Sequence, residues 1–134
     1  MAKSRAFTMS VTINAKPREV FDALTDAKTI SRWSGQKGKV ESTIGGKFEF
    51  FDGWVKGKVL AYKPGKLLAH TWLPDGWDKD STSSIVKYTF ATAKAGTKVT
   101  LKHTGFPNDK EQKEHHAGWT EHVFDPLKEF FESR

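Results

Sequence analysis

From Lys37 to Leu101 the chain runs through consecutive segments in which apolar and polar residues alternate, and one long amphipathic segment follows them. Alternation with a period of two describes strands that are apolar on one face and wet on the other. Antiparallel strands of this kind make a sheet with one apolar face, and that face needs a cover. The terminal segment is long enough to supply it. The expected fold is therefore α+β, a curved antiparallel sheet packed against a long C-terminal helix, with two short helices after the first strand.

The details follow from local chemistry. Phe7, Met9, Val11 and Ile13 alternate with Thr8, Ser10 and Thr12 and mark the first strand. Pro17 suits the first position of a helix whose apolar residues are Val20, Phe21 and Leu24, although Lys16 is a poor N-cap. Asp26 can cap a second brief helix, from about Ala27 to Arg32, that delivers Trp33 near the start of the next strand. If Asp52 and Gly53 are the central residues of a tight turn, Phe51 faces Trp54, Phe50 faces Val55 and Phe48 faces Gly57. Lys63-Pro64-Gly65-Lys66 supplies the next turn, and Ala93 to Gly96 joins the last two strands. Val86, Tyr88 and Phe90 then match Val99, Leu101 and His103 as inward sets, while Lys56, Lys58, Lys87, Lys98 and Lys102 share the outward parity. Leu73 to Ser84, with Pro74, Gly76 and Trp77, reads as a loop that either covers an opening or is solvated and anchored by Trp77.

Asn108 followed by Glu111 resembles a capping box and starts the terminal helix, which runs to about Glu132 and is roughly 35 Å long. His116, Trp119, Val123, Leu127 and Phe130 recur at intervals of three and four and form its stripe, with Gln112 one turn earlier and His115 and His122 on the flanks. Pro126 should bend the rod.

The stripe carries polar rings where stability alone would ask for aliphatic groups. His103, His116 and the indole of Trp119 can orient the oxygen atoms of a bound molecule, or each histidine can satisfy a neighbouring backbone group. With 10 Phe, 5 Trp and 2 Tyr, the interior is built from rings that leave gaps more readily than aliphatic side chains do. The candidate ligand-binding residues are Trp33, Phe48, Phe50, Trp72, Tyr88, His103, His116, Trp119 and Val123.

Several chemistries lack their residues. The chain contains no cysteine, which removes disulfides, thiolate metal sites and a cysteine nucleophile. No serine elbow, phosphate-cradling glycine loop or His-Glu-x-x-His pattern is present, and Glu49, between the inward Phe48 and Phe50, points to solvent. No catalytic residue, metal or cofactor is therefore assigned. The net charge of +6 draws anionic partners, but the outward lysines are accompanied by few stacking rings beyond Phe51 and Trp54, so an acidic protein surface suits them better than nucleic acid. No apolar run approaches the roughly 20 residues of a membrane span, and the N-terminus lacks a signal-peptide pattern. The expectation is a soluble, cytoplasmic protein forming one domain over residues 1–134.

The element order, together with Gly45-Gly46-Lys47-Phe48-Glu49-Phe50, Asp52-Gly53, Gly57-Lys58-Val59, Thr71-Trp72, Thr97 to Leu101, His103-Thr104-Gly105-Phe106-Pro107 and Gly118-Trp119, resembles the START-like superfamily. Within it the chain is most similar to the AHSA-type family, named for activators of a heat-shock chaperone ATPase. Arg32-Trp33-Ser34 stands where that family often has paired tryptophans, and Pro126 interrupts the last helix. The resemblance implies a helix-grip fold whose sheet wraps the terminal helix and leaves a cavity for an apolar small molecule. Members include lipid carriers, polyketide cyclases, antibiotic-protection proteins and co-chaperone domains. The expected function is binding of a hydrophobic molecule of lipid or polyketide type. The alternatives are a co-chaperone-like regulator linked to stress response and a cyclase- or hydrolase-like enzyme acting on a bound apolar substrate.

Overall fold

The computed structural model describes residues 5–77 and 84–133. Strand β1 (Ala6–Ile13) is followed by helices α1 (Pro17–Thr25) and α2 (Ala27–Ser34), then by strands β2 (Lys39–Val40), β3 (Lys47–Phe50), β4 (Val55–Lys63), β5 (Leu67–Pro74), β6 (Ser84–Ala93) and β7 (Gly96–Thr104). The chain ends in a continuous helical rod made of α3 (Asp109–Gly118), a π-helical turn (Trp119–Phe124) and α4 (Asp125–Glu132). The seven strands form one antiparallel sheet in the order β1-β7-β6-β5-β4-β3-β2, so the first strand closes against the last. This is the expected α+β helix-grip arrangement.

Register follows the alternation. Val86 pairs with His103, Tyr88 with Leu101 and Phe90 with Val99, and all six side chains are buried on the face that meets the helical rod. Phe50 pairs with Val55 and Phe48 with Gly57, as a turn at Asp52-Gly53 requires. The turn itself is a short 3₁₀ segment in which Phe51, Asp52 and Gly53 all have positive φ. The Asp52 carboxylate steadies it by accepting the Lys37 amide hydrogen at 2.7 Å.

The helix ends show which groups replace missing backbone partners. Lys16 contributes no side-chain cap, and the Glu19 carboxylate reaches back to accept the Lys16 amide hydrogen at 3.0 Å. Asp26 accepts from both the amide and the hydroxyl of Thr29, and those hydrogen bonds hold its carboxyl below the usual range. Gly35, in left-handed conformation, ends α2. The helix thus extends past Arg32, and Trp33 lies in its last turn rather than at the start of a strand. There its indole donates to the Ala23 carbonyl at 2.7 Å and its ring meets Phe50 edge-on, under α1.

The terminal stripe differs from the expected one by a residue at each end. His115, Trp119, Val123, Phe124, Leu127 and Phe131 are buried, whereas His116 is exposed and Phe130 only partly covered. The cause is the π turn. It lies just before Pro126, whose ring would otherwise press on the carbonyl four residues earlier, and its wider winding changes the rotational phase of α3. Pro126 is accommodated in this way while Phe124 and Asp125 keep right-handed helical backbone angles.

Among the described residues no helix is long and apolar enough to cross a membrane.

Candidate functional site

The buried polar rings are joined in a hydrogen-bonded set that leaves each of them uncharged. Strand parity turns Leu68, His70 and Trp72 of β5 inward, beside Ser84 and Tyr88 of β6 and His103 of β7. The Trp119 indole donates to His103 Nδ1 at 3.0 Å, so the ring hydrogen must be on Nε2, which faces Ser84 Oγ at 2.9 Å. Ser84 passes its own hydrogen to the Trp72 carbonyl at 2.8 Å. His115 is organised in the opposite sense. Its Nε2 accepts from the Trp72 indole at 3.1 Å, and its Nδ1 donates to the Glu111 carbonyl at 3.0 Å. His70 donates from Nδ1 to the Thr71 carbonyl at 2.9 Å and accepts from the Tyr88 hydroxyl at 2.8 Å, while its ring stacks on Phe48 at 3.6 Å.

Burial pushes these imidazoles towards the neutral form. His70 falls to about 3 through loss of water, partly offset by its bond to Thr71. His103 falls to about 2 through burial and the proximity of His115 and His70. His115 is lowered by burial against the opposing pull of Glu111. Desolvation also raises the Tyr88 phenol well above its ordinary value. Among the described residues no buried side-chain nitrogen or oxygen lacks a partner. His103 therefore has no free nitrogen to offer a substrate.

An open space lies beside this set. Between the β3–β4 turn and the helical rod is a half-open cavity of about 320 Å³. Its walls are Phe51, Trp54, Trp72, Trp119 and Val123, with His115, Ala117 and Gly118 along one side. Glu111, Glu114, Glu121 and His122 stand at the helical edge. Trp72 and Trp119 meet at 5.0 Å between ring centroids, and Trp54 lies nearly parallel to His115 at 6.4 Å.

The sequence-derived candidates divide around this cavity. Trp72, Trp119 and Val123 form part of its wall. Phe48, Phe50, Tyr88 and His103 are buried in the interior behind it, and Trp33 is enclosed by α1 and the rod. His116 faces outward, with its ring edge-on to Phe7 at 4.9 Å, and the inward place belongs to His115. The missed residues are His115, Phe51, Trp54, His70 and the three glutamates. His70 was legible, because it shares parity with Trp72. Trp54 was expected at an outward strand position, but it lies just before β4, at the end of the positive-φ turn and with helical backbone angles, and its ring lies over His115 of the rod.

Trp77 is anchored by its indole hydrogen bond to Glu111 Oε1 at 3.2 Å and by ring contacts with Phe106 and His115. The remainder of the expected Leu73–Ser84 loop, residues 78–83, lies outside the described residues. Asn108 caps α3 by accepting from the Glu111 amide, and Gln112 donates to the Ala6 carbonyl rather than into a cavity.

Comparison with known proteins agrees with this architecture. The chain is 26% identical over 115 residues to the activator of 90 kDa heat shock protein ATPase homolog of Dictyostelium discoideum, covering 86% of this chain and 30% of that protein. It thus spans about 30% of that relative's length. The crystal structure of an HSP90 activator from Plasmodium falciparum superposes with a TM-score of 0.83 at 26% identity, covering 93% of this chain and 94% of that one. CalU16 from Micromonospora echinospora gives a TM-score of 0.79 at 25% identity, covering 94% and 75%. The family model of activator of Hsp90 ATPase homolog 1-like proteins matches residues 14–132, which span α1, α2, strands β2 to β7 and the rod, and the chain belongs to that family.

Proposed function

We propose that this protein binds a small, flat, apolar molecule in the half-open cavity beneath Trp54. The supporting observation is the cavity itself, with four large rings around about 320 Å³ of space. That volume is at the lower end for small-molecule sites and suits one or two fused rings of polyketide type better than a long acyl chain. Binding, rather than chemistry, is the reading favoured by His103, whose two nitrogens are already engaged. Titration with 2-naphthol, followed by tryptophan fluorescence, should saturate. Trp54→Ala should weaken it by at least about tenfold while leaving the fold intact, because Trp54 is 43% exposed and its ring faces the ligand's path. Equal affinity of the variant and the parent would remove the cavity from the reading.

A second reading, regulation of a chaperone ATPase, is favoured by the outer sheet face and by the names of the two activator relatives. Lys87 pairs directly with Lys102, and Lys47 with Lys58. Like charges opposite one another destabilise a sheet, and a partner with acidic surface would offset that cost. Addition of the protein to an Hsp90-class chaperone should raise its ATPase rate, and Lys87→Glu with Lys102→Glu should reduce that stimulation severalfold. An unchanged rate with the parent protein would retire this reading.

A further inference from the structure

The cavity is lined by charges of the wrong sign for its chain. The protein has 22 Lys and Arg against 16 Asp and Glu, yet among the described residues the cavity edge carries Glu111, Glu114 and Glu121 and no lysine or arginine. These residues line the same cavity as Trp54, Trp72 and Trp119. Indole faces are the most attractive aromatic surfaces for a cation, and adjacent carboxylates add a direct Coulomb attraction. We propose that this cavity selects an organic cation, an alkylammonium or quaternary ammonium group carried on a small apolar body. The inference rests on the cavity being a ligand site and adds the charge of what it takes.

The neighbouring groups are compatible with that choice. His115, on the wall, keeps Nε2 as an acceptor for the Trp72 indole and uses its single ring hydrogen on the Glu111 carbonyl, so it presents no positive charge to the space. Glu111 is held in place by the Trp77 indole at 3.2 Å, so its carboxylate is positioned before a ligand arrives. Glu121 Oε2 lies 4.0 Å from the exposed His122 ring. Lys110 Nζ is 4.0 Å from Glu114 Oε1, and both side chains are mostly exposed. Such an exposed pair is weak and gives way readily to a desolvated cation.

The test compares benzyltrimethylammonium with its uncharged carbon isostere neopentylbenzene by tryptophan fluorescence titration. The cation should bind at least about tenfold more tightly. The double variant Glu114→Gln with Glu121→Gln changes only exposed side chains, so it should fold normally. It should weaken the cation by at least about threefold and shift the isostere by less than twofold. Tight binding of the isostere with no preference for the cation would overturn the charge selection and leave the apolar cavity reading standing. Failure of both probes to bind would overturn both.

Discussion

Acidification from pH 6.5 to 4.5 should remove on the order of 5 kcal/mol of unfolding free energy from this protein, through His70 and His103 alone. Both imidazoles are fully buried and neutral, with values pushed down to about 3 and about 2 from an ordinary 6.5. In the unfolded chain each takes up a proton near pH 6.5, and in the folded chain neither does so until far lower. The stabilising effect of the neutral state is therefore fully present above about pH 6.5 and is lost as pH falls towards 3. Each histidine contributes a slope of about 1.4 kcal/mol per pH unit in that window. His115, lowered in the same direction, adds to the loss. Asp26 and Glu41, whose values are lowered from 3.8 and 4.5, contribute only near and below those values. A domain of this size has roughly 5–15 kcal/mol in total, so acid unfolding should begin well above the carboxylate range. Urea titrations at pH 7.5, 6.0 and 4.5 measure the slope. His103→Gln should lower stability at pH 7.5 and also reduce the slope by about one proton. A midpoint that stays constant from pH 7 to 4.5 would show that these rings are not buried neutral.

Gly57→Ala should cost about 3 kcal/mol or more, although it adds a single methyl group to a strand of favourable sequence. A Cβ at position 57 would lie 2.0 Å from the Thr71 carbonyl oxygen and 2.9 Å from Thr71 Oγ1. The obstacle is backbone and cannot rotate away. β4 and β5 come close at this point, where the Thr71 hydroxyl accepts the Lys58 amide hydrogen at 2.9 Å, and the Thr71 carbonyl is itself held by the His70 ring hydrogen within β5. Moving the strands apart breaks the Lys58 bond, and shifting the Thr71 carbonyl instead disturbs its bond to His70 and, through His70, the Tyr88 hydroxyl and the Phe48 stack. Thermal unfolding should show a Tm lower by at least about 10 °C. Val59→Ala, in the same strand, should instead show an ordinary core-truncation loss. A Gly57→Ala protein with the parent Tm would mean that β4 and β5 are further apart than described.

Both predictions concern residues whose importance is hardly visible in one dimension. Gly57 reads as a β-strand weakness until the approach of Thr71 is known, and His70 reads as one more polar residue until Tyr88 and Phe48 enclose it. The inward positions of Trp72, Tyr88, His103 and Trp119, by contrast, were legible from parity and helical spacing, because a strand or helix fixes the direction of each side chain relative to its neighbours. The same rule failed at His116. Residues 115 and 116 are both one turn before Trp119, and spacing alone cannot choose between them when the winding changes at residue 119.

The order of elements, the apolar face of the sheet, the Phe50–Val55 register and the family resemblance could all be read in one dimension, because each depends on spacing along a single element or across a short turn. Packing in three dimensions was needed to turn His115 inward, to let the polar rings satisfy one another, and to bring Trp54 to the glutamate-bearing helix around an open space. Those outcomes depend on the rotational phase of the rod beside Pro126 and on the curl of the Phe51–Gly53 turn. Both set the distance between elements far apart in the chain, a quantity that no local pattern contains.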